Sequence, residues 1–420
     1  MIRAGIKAMQ ENHIDIGKMQ VQVRTEVQNR PIAGAKITIS YTGMPGDTLE
    51  EVQTDANGQT EFLELPTPPL EYSLEPSEEQ PYSEYNIRIQ APGFEPVEIS
   101  GSELLSGETS IQGVLMQPSE EGAYEDIVIP AHTLFGEYPE KIPEDEIKPM
   151  DTSGEIVLSR VVVPEYVVVH DGAPGDSTAR DYYVRYRDYI KNVACSEIYA
   201  TWPLETIKAN VLAIMSFTLN RVYTEWYRNK GYDFTITSST AYDHKWMHGR
   251  NIFDSISDVV DELFESYLSR PNVRQPILTQ YCDGQRVSCP DWLSQWGSKA
   301  LGDQNYTAIE IIRHYYGDNM YINSAEEISG IPASWPGYNL DIGASGLKVR
   351  QIQEQLNTIS QVYTAVPSVR ADGIYGENTA NAVRAFQSVF GLPQTGVVDY
   401  QTWYKIQEIF VGITRIAELS

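Results

Sequence analysis

The chain runs to 420 residues, too long for one ordinary hydrophobic core, so at about 150 residues per domain several domains are expected. Acidic side chains outnumber basic ones 58 to 31, and the resulting net charge of -27 repels phosphate backbones and argues against a nucleic-acid partner. Hydrophobic residues at 41% exclude a wholly disordered chain, and no apolar run reaches the roughly 18 residues of a membrane-spanning helix. Residues 1–16 lack the apolar segment of a standard secretory signal and are set apart as an N-terminal leader.

Residues 17–118 read as an all-β domain. Gln20 to Thr25 and Ala35 to Ser40 alternate apolar and polar side chains, the period of a half-buried strand. Turn residues separate the runs at Asn29-Arg30-Pro31, Pro45-Gly46-Asp47 and Asp55-Ala56-Asn57-Gly58. Later strands are expected at Tyr85 to Ile89 and Glu95 to Ile99, which together argue a small β-sandwich. Pro66 to Pro81, rich in proline and glutamate, reads as an exposed excursion. The segment resembles transthyretin-like or carboxypeptidase-regulatory-like domains at Pro31-Ile32-Ala33-Gly34-Ala35, Thr54 to Thr60 and Ala91-Pro92-Gly93-Phe94. Those are packing and turn residues, so the resemblance implies a fold and no chemistry.

Residues 119–160 place Glu120, Glu121, Glu125, Asp126, Glu144, Asp145 and Glu146 among four prolines. Such a stretch self-repels and is expected to be an acidic linker, open to a protease.

Residues 161–335 read as a mixed α+β domain. Pro203 suits the first turn of a helix, in which Leu204, Ile207, Val211, Ile214, Thr218 and Val222 recur at helical spacing and Gly231 follows as a stop. A second helix is expected to carry Ile252, Ile256, Val259, Leu263 and Tyr267. A third opens with the capping box of Thr307 and Glu310, and Gln275 to Val287 looks extended. Cys282 and Cys289 flank an Asp283-Gly284 turn; a disulfide would close this hairpin in an oxidising compartment, whereas a metal pair there lacks partners. Cys195 has no basic neighbour in sequence and reads as a packing residue. His244 and His248 have the spacing of a zinc helix motif, but Lys245 stands where the general base would be, so no metal is assigned.

Residues 336–420 hold three short helices and two turn-then-helix units that echo one another, Asp372-Gly373 to Thr379 and Thr395-Gly396 to Thr402. Gly346-Leu347-Lys348-Val349-Arg350, Ala371 to Gly376, Phe386-Gln387, Gly391-Leu392-Pro393 and Thr402-Trp403 resemble a three-helix peptidoglycan-binding domain. The resemblance implies a shallow groove beside the Asp-Gly turn, with Asp372 and Tyr375 as candidate contacts.

A single chemical candidate stands in the central domain. Glu197 falls where one helix ends before Thr201-Trp202-Pro203, with Ile198, Tyr199 and Trp202 as neighbours, and burial against such groups suits a general acid. This stretch, with Leu204-Glu205-Thr206-Ile207-Lys208-Ala209, resembles the stage II sporulation protein D family of lytic transglycosylases. A second block agrees, Leu293 to Leu301 followed by Glu310-Ile311-Ile312 and His314 to Gly317. The family implies Glu197 as catalyst, no cofactor, and Tyr281, Ser294 and Gln295 as substrate-positioning residues. Where the family has an arginine this chain has Met215, and His244 stands in place of a usual glutamine.

The order of modules resembles the clostridial spore cortex-lytic enzymes, precursors activated by a subtilisin-like protease during germination. That likeness implies a spore-associated, wall-degrading enzyme, a pro-region including the sandwich, and a cut between Gly122 and Val163. Two rival expectations are a non-catalytic wall-binding scaffold, motivated by Met215, and an amidase or peptidase, which the lack of zinc ligands disfavours.

Overall fold

A computed structural model describes residues 14–26, 29–119, 124–149, 158–329 and 335–414. Residues 1–13 of the expected leader, and 120–123 and 150–157 of the expected linker, lie outside the described residues. The architecture is multidomain, with mixed sheets and, among the described residues, eight α-helices.

The amino-terminal region consists of β1 (Asp15–Thr25), β2 (Lys36–Tyr41), β3 (Thr48–Gln53), β4 (Leu63–Thr67), β5 (Ser83–Gln90), β6 (Val97–Leu104), β7 (Thr109–Met116) and β8 (Glu125–Val128). One sheet centres on β1, paired antiparallel with β4 and parallel with β7; the other runs β3-β2-β5-β6-β8. Successive strand residues point to opposite faces, so Met19, Val21 and Val23 meet Ile37, Ile39, Ile87 and Ile89 in one core while Lys18 stays in water. Each such aliphatic side chain contributes about 1.5–3 kcal/mol on burial. The excursion expected to be exposed is only partly so. Glu75, Glu78 and Glu79 are in water, but Ser73 and Gln80 are buried, and the Trp202 indole donates to the Ser73 carbonyl at 3.0 Å.

Residues 124–149 correct the expectation of a loose linker. β8 joins β6 in parallel, and the remainder, without regular secondary structure, lies along the central domain. Its acidity is real on average but answered group by group: Glu144 pairs with Arg221 and Lys148, and Glu146 with Arg270.

The central domain continues with β9 (Val162–Val163), β10 (Tyr166–His170), β11 (Asp181–Arg185), α1 (Tyr186–Glu197) and α2 (Leu204–Tyr223). Next come β12 (Ile236–Thr237), β13 (Ile252–Phe253), α3 (Asp254–Leu263), β14 (Ser266–Ser269), β15 (Tyr281–Cys282) and β16 (Leu293–Ser294). The helices α4 (Gln295–Gly302) and α5 (Ala308–Tyr316) precede β17 (Tyr321–Ser324) and β18 (Glu327–Ile328). α2 is buried nearly all round and is the axis of the domain. It ends at Tyr223, short of Gly231, which instead closes a separate single turn at Arg228–Lys230. α3 stops at Leu263, and Tyr267 belongs to β14 because that strand pairs with β17. Both halves of the Thr307–Glu310 capping box are formed. β13 adds antiparallel to β7 of the sandwich, next to a wholly buried ion pair of Glu103 and Arg250 at 2.6 Å.

The carboxy-terminal module is α6 (Leu347–Ser360), α7 (Glu377–Val389) and α8 (Tyr400–Thr414). The echo in its sequence is a repeated hydrogen-bond unit. Gln353 accepts from the Gly373 amide at 2.8 Å and donates to the Ile374 carbonyl and the Thr379 hydroxyl. Gln387 does the same one helix later, toward Gly396, Val397 and Thr402. Gly373 and Gly396 sit at φ +78° and +70°, which glycine alone adopts without strain. The module docks on the central domain through Arg187, which pairs with Asp261 and Glu408, and through Phe264 against Tyr400 and Tyr404. Among the described residues no helix is long and apolar enough to cross a membrane.

Candidate active site

Glu197 is the last residue of α1. Ile198 leaves the helix in extended conformation, so the chain turns and the Glu197 side chain points inward, with 0% of its surface exposed. Both carboxylate oxygens are held. Oε1 accepts from the Lys245 backbone N–H at 2.7 Å, and Oε2 accepts from the Gln295 side-chain amide at 3.1 Å. The same amide also donates to the Glu197 carbonyl at 3.0 Å.

Each donor is itself positioned by its local structure. Gln295 opens α4, whose N-cap Ser294 accepts from the Gly297 amide at 3.0 Å. Ser294 is therefore a cap, and it brings Gln295 to the carboxylate. The Cys282–Cys289 hairpin, closed by a disulfide, packs on this cap so tightly that a Cβ on Gly284 would lie 1.9 Å from the Ser294 hydroxyl. Lys245 follows a loop pinned by Asp243, whose carboxylate accepts from Arg221 Nε at 2.7 Å, Tyr227 at 2.6 Å and the Thr237 amide at 2.9 Å. Burial alone would push Arg221 down, but Asp243 and Glu144 outweigh it and hold the guanidinium above its ordinary range. Arg221 and Asp243 are the residues the sequence reading missed. Met215 is wholly buried in the apolar core.

His244 and Tyr281 join the same cluster. Their rings stack at 5.7 Å, and His244 Nδ1 is 3.1 Å from the Tyr189 hydroxyl. Burial, then the charges of Lys141 and Arg221, hold His244 well below its ordinary range, so its ring is neutral. A neutral imidazole has one N–H, and Nε2 is the donor when Tyr189 gives its proton to Nδ1. Burial first, and then Glu197, push the Tyr281 phenol well above its usual range. Four buried polar atoms near the carboxylate lack a hydrogen-bond partner: Gln295 Oε1, Tyr281 Oη, Tyr138 Oη and His244 Nε2. Each such group costs about 1–3 kcal/mol, so their gathering at one point suits a site that hydrogen-bonds a polar ligand.

Two members of the cluster come from the segment read as linker. Tyr138 faces the charges of Glu197 and Asp283. Lys141 donates to the Asp243 carbonyl at 2.7 Å and stands 4.5 Å from the centre of the Tyr281 ring. Of the apolar residues expected around Glu197, Tyr199 and Trp202 pack ring on ring with each other and with Trp296.

Cys195 is a packing residue: burial pushes its thiol up to about 12, and its sulfur accepts from the Phe253 amide. His248 lies outside any helix and stacks on Tyr182, so it does not share a face with His244.

In the carboxy-terminal module, Asp372 is exposed and builds its own turn by accepting from the Ile374 amide at 2.9 Å, which holds its carboxyl below the usual range. Tyr375 corrects the expectation of a ligand contact. It is buried, with its hydroxyl donated to the Gly396 carbonyl at 2.8 Å, because the tight turn sends this side chain into the core. The side chains presented beside that turn are Leu347 and Ile374, 85% and 61% exposed, flanking the Ser345–Ile374 bridge.

Residues 345–406 match the family model described as a putative peptidoglycan binding domain. The match supports peptidoglycan as a partner of this chain. No curated protein matches it. Among solved structures, the SleB N-terminal domain is 28% identical and covers 18% of this chain and 99% of its own, at a TM-score of 0.17. The Bacillus anthracis TIE protein is 19% identical over 25% of this chain and 17% of its own, at a TM-score of 0.18. Wild-type catechol 1,2 dioxygenase of Acinetobacter radioresistens is 14% identical over 29% of this chain and 58% of its own, also at 0.18.

Proposed function

We propose that the chain is a peptidoglycan lytic transglycosylase of the spore cortex, made as a precursor that a subtilisin-like protease activates, with Glu197 as its acid and base. One observation carries the reading: of the buried carboxylates around the cluster, Glu197 alone is free of a structural ion pair. Asp243 is occupied by Arg221, Tyr227 and Thr237, and Asp283 by Arg286 and the amides of Gln285 to Val287. A hydrolytic glycosidase needs two working carboxyl groups, whereas a transglycosylase needs one.

In the reaction Glu197 gives its proton to the glycosidic oxygen as the C1–O bond of the muramic residue breaks. The resulting carboxylate then takes the proton of that residue's C6 hydroxyl as O6 bonds to C1. No water is consumed, and Glu197 ends protonated as it began. Gln295 orients the carboxyl group, and Tyr281, His244 and Gln295 offer their unpaired polar atoms to the sugar. Leu347 and Ile374 supply the wall-binding surface of the carboxy-terminal module, beside the Asp372 turn. The spore setting and the protease rest on the order of modules.

The test is digestion of cortex peptidoglycan by protein cut between Pro149 and Leu158 and separated from its amino-terminal fragment, with mass spectrometry of the products. Anhydro-muramic ends are expected. Reducing muramic ends would make it a hydrolase, released stem peptides an amidase, and unchanged glycan with wall binding retained a scaffold.

A further inference from the structure

The segment 129–149 crosses the candidate active site as a strap that turns once, at residues 133–136. At its start it brackets Glu197. The Thr133 amide donates to the Ser196 carbonyl at 3.2 Å, and the His132 ring lies 3.3 Å from the Ile198 carbonyl. Arg286 clamps this end through the carbonyls of Thr133 and Gly136. Further on the strap runs antiparallel to residues 275–280. Ile142 and Glu144 bond the Gln280 side chain, Glu146 accepts from the Leu278 amide, and Lys148 exchanges two bonds with Gln275. Between these anchors Tyr138 and Lys141 are buried over the carboxylate.

The chemistry of the Lys141 position is specific. A mobile, strongly hydrated ammonium is seldom buried without reason. Here it rests on the face of an aromatic ring, attracted by the Glu197 carboxylate and by Asp243, and hydrogen-bonded to the Asp243 carbonyl. Glycosidic cleavage passes through a sugar whose anomeric carbon carries positive charge. A cation beside the acid and over a π-face marks the place where that charge would be stabilised.

We propose that residues 129–149 are a built-in inhibitor lying in the glycan groove, that the Lys141 ammonium stands in for the oxocarbenium-like charge of the reacting sugar, and that the Tyr281 ring face stabilises that charge in catalysis. The proposal rests on Glu197 being the acid. A cut between Pro149 and Leu158 leaves every strap hydrogen bond named above in place, so the cut permits activation and departure of the strap accomplishes it. The sandwich, held by Glu103–Arg250 and by the β7–β13 pairing, keeps the severed strap at high effective concentration.

The experiment uses the full chain carrying a specific protease site within 150–157. The nicked protein is kept intact or its fragments are separated, and each form is assayed for fragment co-elution and for product release from peptidoglycan. Nicked wild type is expected to co-elute and to show less than one tenth of the separated protein's rate. Nicked Lys141→Met, with its backbone bonds kept, should co-elute yet be at least tenfold faster than nicked wild type, while Lys141→Arg stays inhibited. In separated protein Tyr281→Leu should lose tenfold or more in kcat, and Tyr281→Phe, which keeps the ring face but gives up the hydroxyl offered to the sugar, should lose less. Full activity with the strap seated, a Lys141→Met variant as inhibited as wild type, or an unimpaired Tyr281→Leu would each overturn the proposal. If separated protein makes no anhydro product, the reading of Glu197 falls and hydrogen exchange judges the strap. Glycan strands should protect the amides of 241–245 only after the strap has left, and equal protection with it seated sinks the inference.

Discussion

Replacing Glu197 with glutamine separates the chemistry of this site from its architecture. The amide keeps an oxygen for the Lys245 N–H, now bonded at 2.7 Å. Its NH₂ would face the Gln295 donor, but Gln295 carries an unpaired Oε1 that a flip of its amide brings round. The flip forfeits the bond to the Glu197 carbonyl, so the structural cost is that of one buried group, about 1–3 kcal/mol. The chemical cost is larger, because glutamine can neither give nor take the proton. General acid–base catalysis contributes about 10²–10⁴-fold, and with both steps on one residue a loss of about 10³-fold or more is expected, about 4 kcal/mol in the barrier. The assay follows anhydro-muropeptides by mass spectrometry from the cut and separated protein, alongside its thermal midpoint and its pelleting with peptidoglycan. A folded variant retaining more than about one tenth of the wild-type rate would refute the assignment, since an amide cannot supply even tenfold of proton transfer.

Glu103→Ala strands the buried Arg250 guanidinium and should cost about 3–5 kcal/mol in urea unfolding, whereas the double replacement Glu103→Leu with Arg250→Met should recover most of it. Burial alone would raise the carboxyls of Asp261 and Glu408, but Lys191, Arg187 and Lys405 outweigh it and hold both below the ordinary range. Their stabilisation is thus complete above the ordinary carboxylate pKa and is lost as pH falls through the lower folded values. Unfolding midpoints should drop as pH falls below about 4, and Asp261→Asn should flatten that drop. In the carboxy-terminal module, Leu347→Asp or Ile374→Asp should weaken wall pelleting tenfold or more with stability within about 0.5 kcal/mol of wild type. Tyr375→Phe should do the reverse, losing about 1 kcal/mol with its bond to Gly396 while binding persists.

Features set by near neighbours along the chain were legible from residue order. Pro203 marks where α2 begins, Thr307 and Glu310 cap α5, and Cys282 and Cys289 close a short hairpin. The alternation in β1 and β2 names the side chains that meet in the sandwich core. The two glycine turns of the last module announce the repeated unit that Gln353 and Gln387 complete. In each case the interacting groups are a few residues apart, or a period of two or 3.6 reports which face is buried.

The partners of buried polar groups were not legible. Glu103 and Arg250 are 147 residues apart, and Glu144 and Arg221 are 77 apart, so nothing local hints at either pairing. Composition summed the acidic groups of 119–160 and returned repulsion, because an average cannot record that Glu144 and Glu146 would each be handed an arginine. Tyr375 was misplaced for a related reason: a motif names a residue, but the turn's dihedral angles decide whether its ring faces water or core. Local order is written in short-range sterics and periodic burial, while a charge or hydroxyl removed from water takes whichever partner the folded chain delivers. That delivery placed Lys141 over Tyr281 and two N–H donors on Glu197.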